Sequence, residues 1–574
     1  ERLAALLGDV ASPGSFSTRR TAPVGDLSIE VRGLGPLSLP VSDAQARELC
    51  RIGRPARYGH GERTLLDPRV RDTWEIPLSR VRLDKRRWGR TLRPVLEGLR
   101  RDLGLPEGCE LAAEFHSMLV YAPGQFFVPH QDSEKDDTMV GSLVVTLPSS
   151  FTGGALVVEH GGERVTYRSS RTSLSFVAFF ADCRHQVQPT RRGHRVVLTY
   201  NLLLRGDTGP AATAEPAAAA AARCLHDHFT TPPSPRWAGD AAGASPPGRL
   251  AYLLDHEYTE RGLSWSRLKG SDATRAAVLL AAGERAGCEV VLALAEVHET
   301  WSCFEDEWDG RRGWYRARRR HADDEPDGEG WDDEPDDAAG YELEDLIDGS
   351  VTVERWVHPS DGRAEAVAVS LADHEVCATT PSATLRPHTS EYEGYMGNYG
   401  NTMDRWYRRG AVILWPRDRA FAVRAEASPG WALDQLSARA RAGDGDGARE
   451  MAAAMAPFWA ATAGLDQSRG LPVKVLRVAR ALDEPVLASM LVTPLGVEVL
   501  TRSHAPALVA LVDAYGEDWA QGLLDAWAGR RMARAAGRDR ATWVASLVPL
   551  CEALQRAGAS GTSTARLFVE DSWR

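Results

Sequence analysis

A chain of 574 residues exceeds what one hydrophobic core organises, so two to four domains are expected. A hydrophobic fraction of 43%, a charged fraction of 26% and 17 Trp exclude global disorder. The net charge of -11 disfavours nucleic acid as a partner, because phosphate backbones need a basic footprint, and no run of about 18 uncharged apolar residues is available to span a membrane. The best candidate, Ala276 to Val297, is interrupted by Glu284, Arg285 and Glu289.

Taken in chain order, the opening ERLAALLGDV lacks a basic start followed by an apolar run, so no signal peptide is expected. Eight scattered Cys without a CxxC pair suit reduced thiols, and the expected compartment is the cytoplasm. Residues 1–108 form a mixed and helical region supporting the β-rich core, with a surface helix expected between Arg80 and Leu103. Residues 109–205 change texture. EFHSMLVYA, QFFVPH, SLVVTLP, ALVVEH, ERVTY, SLSFVAFF, HQVQP and HRVVLTYNLLL read as eight strands separated by Gly, Pro, Ser and Asp clusters, a count that fits a double-sheet jelly roll. Residues 206–248 form an Ala/Pro-rich linker around one short helix. Residues 249–425 read as mixed α/β, with helical Leu and Ala spacing over 249–300, an acidic loop at 304–346, and strands VTVERWV, AEAVAVSL and AVILWP. Asp323 to Asp337 holds ten acidic positions of fifteen and reads as a solvated loop. Residues 426–574 repeat Ala, Leu and Arg at helical spacing and are expected to be a helical domain. The fold class is therefore α+β and multidomain, a double-stranded β-helix core with helical N-terminal and C-terminal regions.

Chemistry concentrates in the β-rich segment. In VPHQDS, His130 and Asp132 stand two apart, so on a strand both project from one face. His185, in DCRHQVQP, lies 55 residues later at the start of another strand, where a jelly roll can bring it against the first pair. Two imidazoles and a carboxylate on one face of a metal leave three positions open, the arrangement used for oxygen activation at iron(II). Ten residues beyond His185, Arg195 opens GHRVVLTY, and its fork of donors suits the far carboxylate of a small diacid whose 2-oxo acid end chelates the metal. Tyr121, in VYAPGQFF, can add a phenol hydrogen bond.

These residues carry a resemblance. YAPGQFFVPHQD, TGGALVVEH and FFADCRHQVQPTRRGHRVVLTYNL resemble, in order and spacing, the prolyl 4-hydroxylase-type iron(II)/2-oxoglutarate dioxygenases over about residues 111–205. The resemblance implies that His130, Asp132 and His185 bind Fe(II), that Arg195 pairs with 2-oxoglutarate, and that Tyr121, Ser142 and Thr146 line the co-substrate pocket. Where this sequence has Thr146, Leu147 and Pro148, the family often has Tyr-Leu-Asn. The implied cofactors are Fe(II), 2-oxoglutarate and O2, with ascorbate as an auxiliary reductant. The implied activity is hydroxylation of a C–H bond of a protein side chain, prolyl first among them, with 2-oxoglutarate converted to succinate. The alternatives are hydroxylation of a small metabolite, oxidative demethylation of nucleic acid, and a noncatalytic protein-interaction scaffold.

Blander readings stand beside these. Phe126, Phe127, Leu174, Phe176 and Phe179 supply apolar walls, with the register that decides which of them face the metal left open. Cys183 reads as a small buried apolar residue. His226 and His228 form an HxH without a third ligand and read as exposed, and His256 beside Glu257 is read in the same way. The stretch from Glu391 to Arg409 reads equally as a lid over the site or as a plain connection with an aromatic anchor.

Overall fold

A computed structural model describes residues 1–11, 14–60, 63–132, 138–206, 215–232, 246–305, 341–394, 401–465, 470–496, 499–534 and 540–573. The chain divides into two compact units, the first comprising 1–366 and 370–414 and the second 367–369 and 415–574. No helix among the described residues is long and apolar enough to cross a membrane.

The β-rich segment folds into two antiparallel sheets. The larger runs in the order Ser17–Ala22, Leu174–Phe180, Met139–Thr146, Arg195–Arg205, Glu110–Tyr121, Trp74–Ile76 and Arg54–Pro55. The smaller runs Glu163–Tyr167, Leu156–His160, Arg184–Val187, Phe126–His130 and Arg71–Asp72. All eight strands expected between 111 and 205 are present, and a short pair, Phe151–Gly153 with Thr190–Gly193, joins them. Inner-face side chains of both sheets belong to one core, Val177, Phe179 and Val197 from the larger and Phe127, Val158 and Val187 from the smaller. At roughly 1.5–3 kcal/mol for each large apolar side chain removed from water, this shared interior is what holds the sheets face to face.

The outer face of the larger sheet is covered by the helix Lys85–Asp102. Asp84 caps its start, the side chain accepting from the backbone N–H of Arg86 and Arg87. Trp88, Val95, Leu96 and Leu99 recur at helical spacing and are buried, with the Trp88 ring stacked on Phe176 at 5.8 Å and its indole N–H donating to the Tyr200 hydroxyl at 3.1 Å. This settles part of the register. Phe176, and Leu174 two positions before it, face the helix, so neither walls the metal-facing interior as the sequence reading allowed; Phe179, on the alternate face, packs against His185 with ring centroids 4.5 Å apart.

The first unit holds a second sheet in the order Ala364–Leu371, Tyr341–Val357, Cys288–Glu305, Thr402–Pro416, Leu250–Leu253 and Val376–Ala378, with Thr389–Glu393 paired to Thr402–Pro416. Two expectations are corrected here. Helical spacing was expected through residue 300, yet only Gly270–Arg285 is helical; Gly287, at φ +69°, turns the chain and Cys288–Glu305 continues as a strand. Val290 to Ala293 are buried in succession, on both faces, which removes there the alternation that would have marked a strand. Likewise Glu391 to Arg409 supplies strand on either side of 395–400, those six residues lying outside the described ones. Most of the acidic loop, including Asp323 to Asp337, also lies outside them, and its last residues begin the Tyr341–Val357 strand.

The helix within the Ala/Pro-rich stretch is longer than expected, Glu215–Thr230, because Ala221, Leu225 and Phe229 have a core to enter. They pack with the helix Gly270–Arg285 and with Leu3 and Leu7 of the first helix, Arg2–Gly8. The second unit is helical, running from Ala420–Ala427 to Ala559–Trp573 around Leu433, Leu436, Trp459, Leu476 and Leu491.

Candidate active site

His130 ends the Phe126–His130 strand and His185 sits in Arg184–Val187, directly opposite it in the antiparallel register. A shift of register between Phe127 and His130 turns the strand at that point, and the Phe127 ring lies flat on the His130 imidazole at 3.4 Å. Asp132, two residues on, closes the group: His130 Nε2 is 3.9 Å from its Oδ1 and His185 Nε2 is 3.8 Å from its Oδ2. The three side chains offer donor atoms that all lie within 4.8 Å of one another, a spacing that suits a metal ion.

The outer partners fix which ring nitrogen faces inward. His130 Nδ1 lies 2.9 Å from the Val128 carbonyl and His185 Nδ1 3.2 Å from that of Cys183, so each ring donates its Nδ1–H to backbone and turns an Nε2 lone pair to the centre. Burial, and then the neighbouring His185, hold His130 well below the usual imidazole range, so its ring is neutral at pH 7. The Ser142 hydroxyl donates to Asp132 Oδ2 at 2.5 Å. The resemblance put Ser142 in the co-substrate pocket; its hydroxyl sits on the Asp132 carboxylate. Two imidazoles and one carboxylate, with Phe127 and Phe179 drying the surroundings, are a donor set that iron(II) accepts with positions to spare.

Arg195 opens the Arg195–Arg205 strand directly opposite Tyr121, its guanidinium 5.4 Å from the Tyr121 ring centroid. Ser142 and Thr146 stand opposite Asn201 and Val197, so by alternation they and Arg195 share the inner face of the larger sheet. Arg195 is 1% exposed, and neither Nε nor Nη1 has a hydrogen-bond partner. Burial pulls its guanidinium below the usual range. A buried cation with two unpaired donors fits the carboxylate of a small diacid. Thr146 is buried on the same face, and Tyr121 is buried beneath the guanidinium.

Sequence reasoning missed two contributors. Thr190, between the distal His and Arg195, has a buried hydroxyl without a partner, and Gly154 makes room for both. A Cβ on Gly154 would stand 2.9 Å from Arg195 Cδ and 3.1 Å from Thr190 Oγ1, and the residue sits at φ +62°. The GG of TGGALVVEH was therefore the available signal. Gly154→Ala is expected to cost about 1–3 kcal/mol of stability and, by displacing the guanidinium, to raise the KM for 2-oxoglutarate by up to about 10²-fold. Thermal unfolding and a co-substrate titration check both effects.

Elsewhere, Cys183 is fully buried and burial pushes its thiol up, in keeping with an inert apolar residue. His226 is exposed, while His228 Nε2 is 3.1 Å from the Arg249 carbonyl. His256 corrects its reading: it is 3% exposed, buried by contacts with residues the sequence places far away.

Residues 116–203 match the family model described as the 2OG-Fe(II) oxygenase superfamily. Among solved structures, a Pseudomonas putida prolyl-4-hydroxylase is similar at 21% identity, over 36% of this chain and 100% of its own, with a TM-score of 0.21. A 2OG-Fe(II) oxygenase family oxidoreductase from Burkholderia pseudomallei is 18% identical over 35% of this chain and 89% of its own, also at 0.21. A prolyl hydroxylase from Trichoplax adhaerens, in complex with a peptide fragment of the hypoxia inducible factor oxygen degradation domain, is 16% identical over 31% and 83%, again at 0.21. None of the curated proteins matches the chain. The segment that matches the 2OG-Fe(II) oxygenase superfamily model, residues 116–203, is the one that carries His130, Asp132, His185 and Arg195.

Proposed function

We propose that the chain is an Fe(II)- and 2-oxoglutarate-dependent dioxygenase that hydroxylates a C–H bond of a protein side chain, prolyl first among the candidates. One observation carries the enzymatic reading: three metal-suited donors converge while a buried guanidinium with unpaired N–H groups shares the interior. The choice of a protein side chain rests on the motif set's resemblance to prolyl 4-hydroxylases.

In this reading His130, Asp132 and His185 hold the iron and Arg195 grips the far carboxylate of 2-oxoglutarate. When bound, these groups and O2 supply the oxidising power, one oxygen atom entering the substrate as hydroxyl and the other leaving in succinate as carbon dioxide is released. The protein's part is positional. The Val128 and Cys183 carbonyls keep both imidazoles in the binding tautomer, and Ser142 orients the Asp132 carboxylate. Phe127 and Phe179 exclude water from the side of the two imidazoles, and Tyr121 supports the guanidinium from beneath.

The test uses the full chain with iron(II), 2-oxoglutarate and oxygen. Succinate formation is expected to stop when a chelator strips the metal and to return with Fe(II) but not with Zn(II). A mass gain of one oxygen atom on a proline-containing peptide supports the substrate class. Succinate output stimulated by small acids, with no peptide oxidised, would favour the metabolite reading, and metal-independent output would overturn the oxygenase.

A further inference from the structure

Among the described residues a second group of donors, sharing no residue with the first triad, closes to metal-binding distance: His160, Asp182 and His256, all within 4.8 Å. His160 ends the Leu156–His160 strand, and Asp182 lies in the turn between Leu174–Phe180 and Arg184–Val187. His256 comes from the other sheet of the first unit, just after the Leu250–Leu253 strand. The donors therefore meet only because the two sheets dock.

The geometry is compact and dry. His256 Nδ1 is 2.8 Å and His160 Nδ1 3.9 Å from the same oxygen, Asp182 Oδ2. The two imidazoles stack almost parallel, with centroids 4.2 Å apart and 13° between planes. The side chains are 15%, 5% and 4% exposed for His160, Asp182 and His256. Two imidazoles so close and so buried, sharing one carboxylate oxygen, cannot both be imidazolium, so one ring keeps a lone pair for a cation.

The surroundings resemble the outer partners of a ligating carboxylate. Lys269 Nζ donates to the opposite oxygen, Oδ1, at 3.2 Å and to the Glu257 carbonyl at 2.9 Å, and the Glu257 N–H donates to Oδ2 at 3.2 Å. Asp272 accepts from the backbone N–H of His256 at 2.9 Å and from the Tyr258 hydroxyl at 3.1 Å, which sets the His256 backbone in place. The carboxylates of Asp255 and Asp272 oppose the positive charge of Lys269 at the two imidazoles. A cavity of about 80 Å³ opens on all three donors, with the carboxylates of Glu159, Asp255 and Glu257 facing the guanidinium groups of Arg184, Arg386, Arg408 and Arg409 around it. At roughly 10–15 Å³ for each water this holds a handful of waters, enough for a solvent ligand.

We propose that His160, Asp182 and His256 form a second divalent-cation site, suited to zinc with water in the fourth position, that ties the oxygenase sandwich to the second sheet. The cation takes the place of the proton His256 shares with Asp182. This site is independent of the iron reading, and its test removes the first triad.

Full-length His185→Ala protein, stripped by chelator and dialysed against micromolar Zn²⁺, is expected to retain one zinc per chain by elemental analysis, and zinc is expected to raise its Tm. Adding His160→Ala is expected to weaken zinc binding by more than the roughly 10–100-fold that loss of an outer partner causes, and to abolish the zinc-dependent rise in Tm. His160→Gln, which keeps the side-chain volume, must give the same loss, so a misfolded Ala variant leaves the outcome readable. Cobalt bound in the same background is expected to give the visible absorption of a low-coordinate site. Retention of no zinc by the His185→Ala chain, or equal zinc with and without His160, overturns the proposal.

Discussion

Arg195→Met is expected to make the ligand-free protein more stable while crippling its use of 2-oxoglutarate. The guanidinium is buried with Nε and Nη1 unpartnered, so without a carboxylate it is a charge in a dry interior with little to offset it. A methionine of similar length keeps the packing over Tyr121 and removes that cost, worth on the order of 1–3 kcal/mol in a thermal melt without co-substrate. The same change deletes the charge-assisted contact proposed for the far carboxylate, weakening 2-oxoglutarate by about 3–4 kcal/mol, on the order of 10²–10³-fold. The opposed signs discriminate. An Arg195 that merely braced the sheet would lower stability when removed and leave the co-substrate KM alone, and that pair of results would sink its assignment.

His185→Ala is expected to abolish succinate formation through loss of iron. In the proposed site His185 is one of three donors among the described residues, and removing a ligand must exceed the roughly 10–100-fold loss in affinity caused by removal of an outer partner. The ring is buried between His130 and Phe179, so truncation also leaves a small cavity and a loss of about 1–3 kcal/mol. Iron content and turnover should fall together while the far-ultraviolet spectrum is retained. Turnover that survives in iron-poor protein would place the metal elsewhere.

What the sequence disclosed depended on how local the signal was. The eight strands could be read because their turns are punctuated by Gly, Pro and Asp, and His130, Asp132, His185 and Arg195 because their order and spacing carry the resemblance; strand alternation did not place Asp132, which lies beyond the end of the Phe126–His130 strand. Arg195 stands directly opposite Tyr121 and His130 opposite His185, two pairings set by antiparallel register. His256 was misread because its partners Asp182 and His160 lie 74 and 96 residues away on another sheet, and no spacing rule spans that distance. The start of Cys288–Glu305 was misread because Val290 to Ala293, buried on both faces, have no polar alternation to display. The inward or outward sense of Leu174 and Phe176 needed the helix that covers them, since a slip of one residue exchanges the two faces. Gly154 could have been inferred from its doublet, although its physical reason, room for a side chain 41 residues later, needed coordinates.

The first helix, Arg2–Gly8, carries a consequence for how the protein is put together. Leu3 and Leu7 sit in the core beside the second sheet, and the Leu7 carbonyl accepts from Arg275, although the chain between that helix and residue 206 builds the oxygenase sandwich. The sandwich is thus an insertion threaded between two parts of its neighbour's interior. Cutting it out at its carboxyl end would strand two leucines in water and leave Asp182 without the lysine and histidine that neutralise it. The catalytic segment and the second sheet of the first unit are best regarded as one inheritable piece, to be expressed, mutated and compared together.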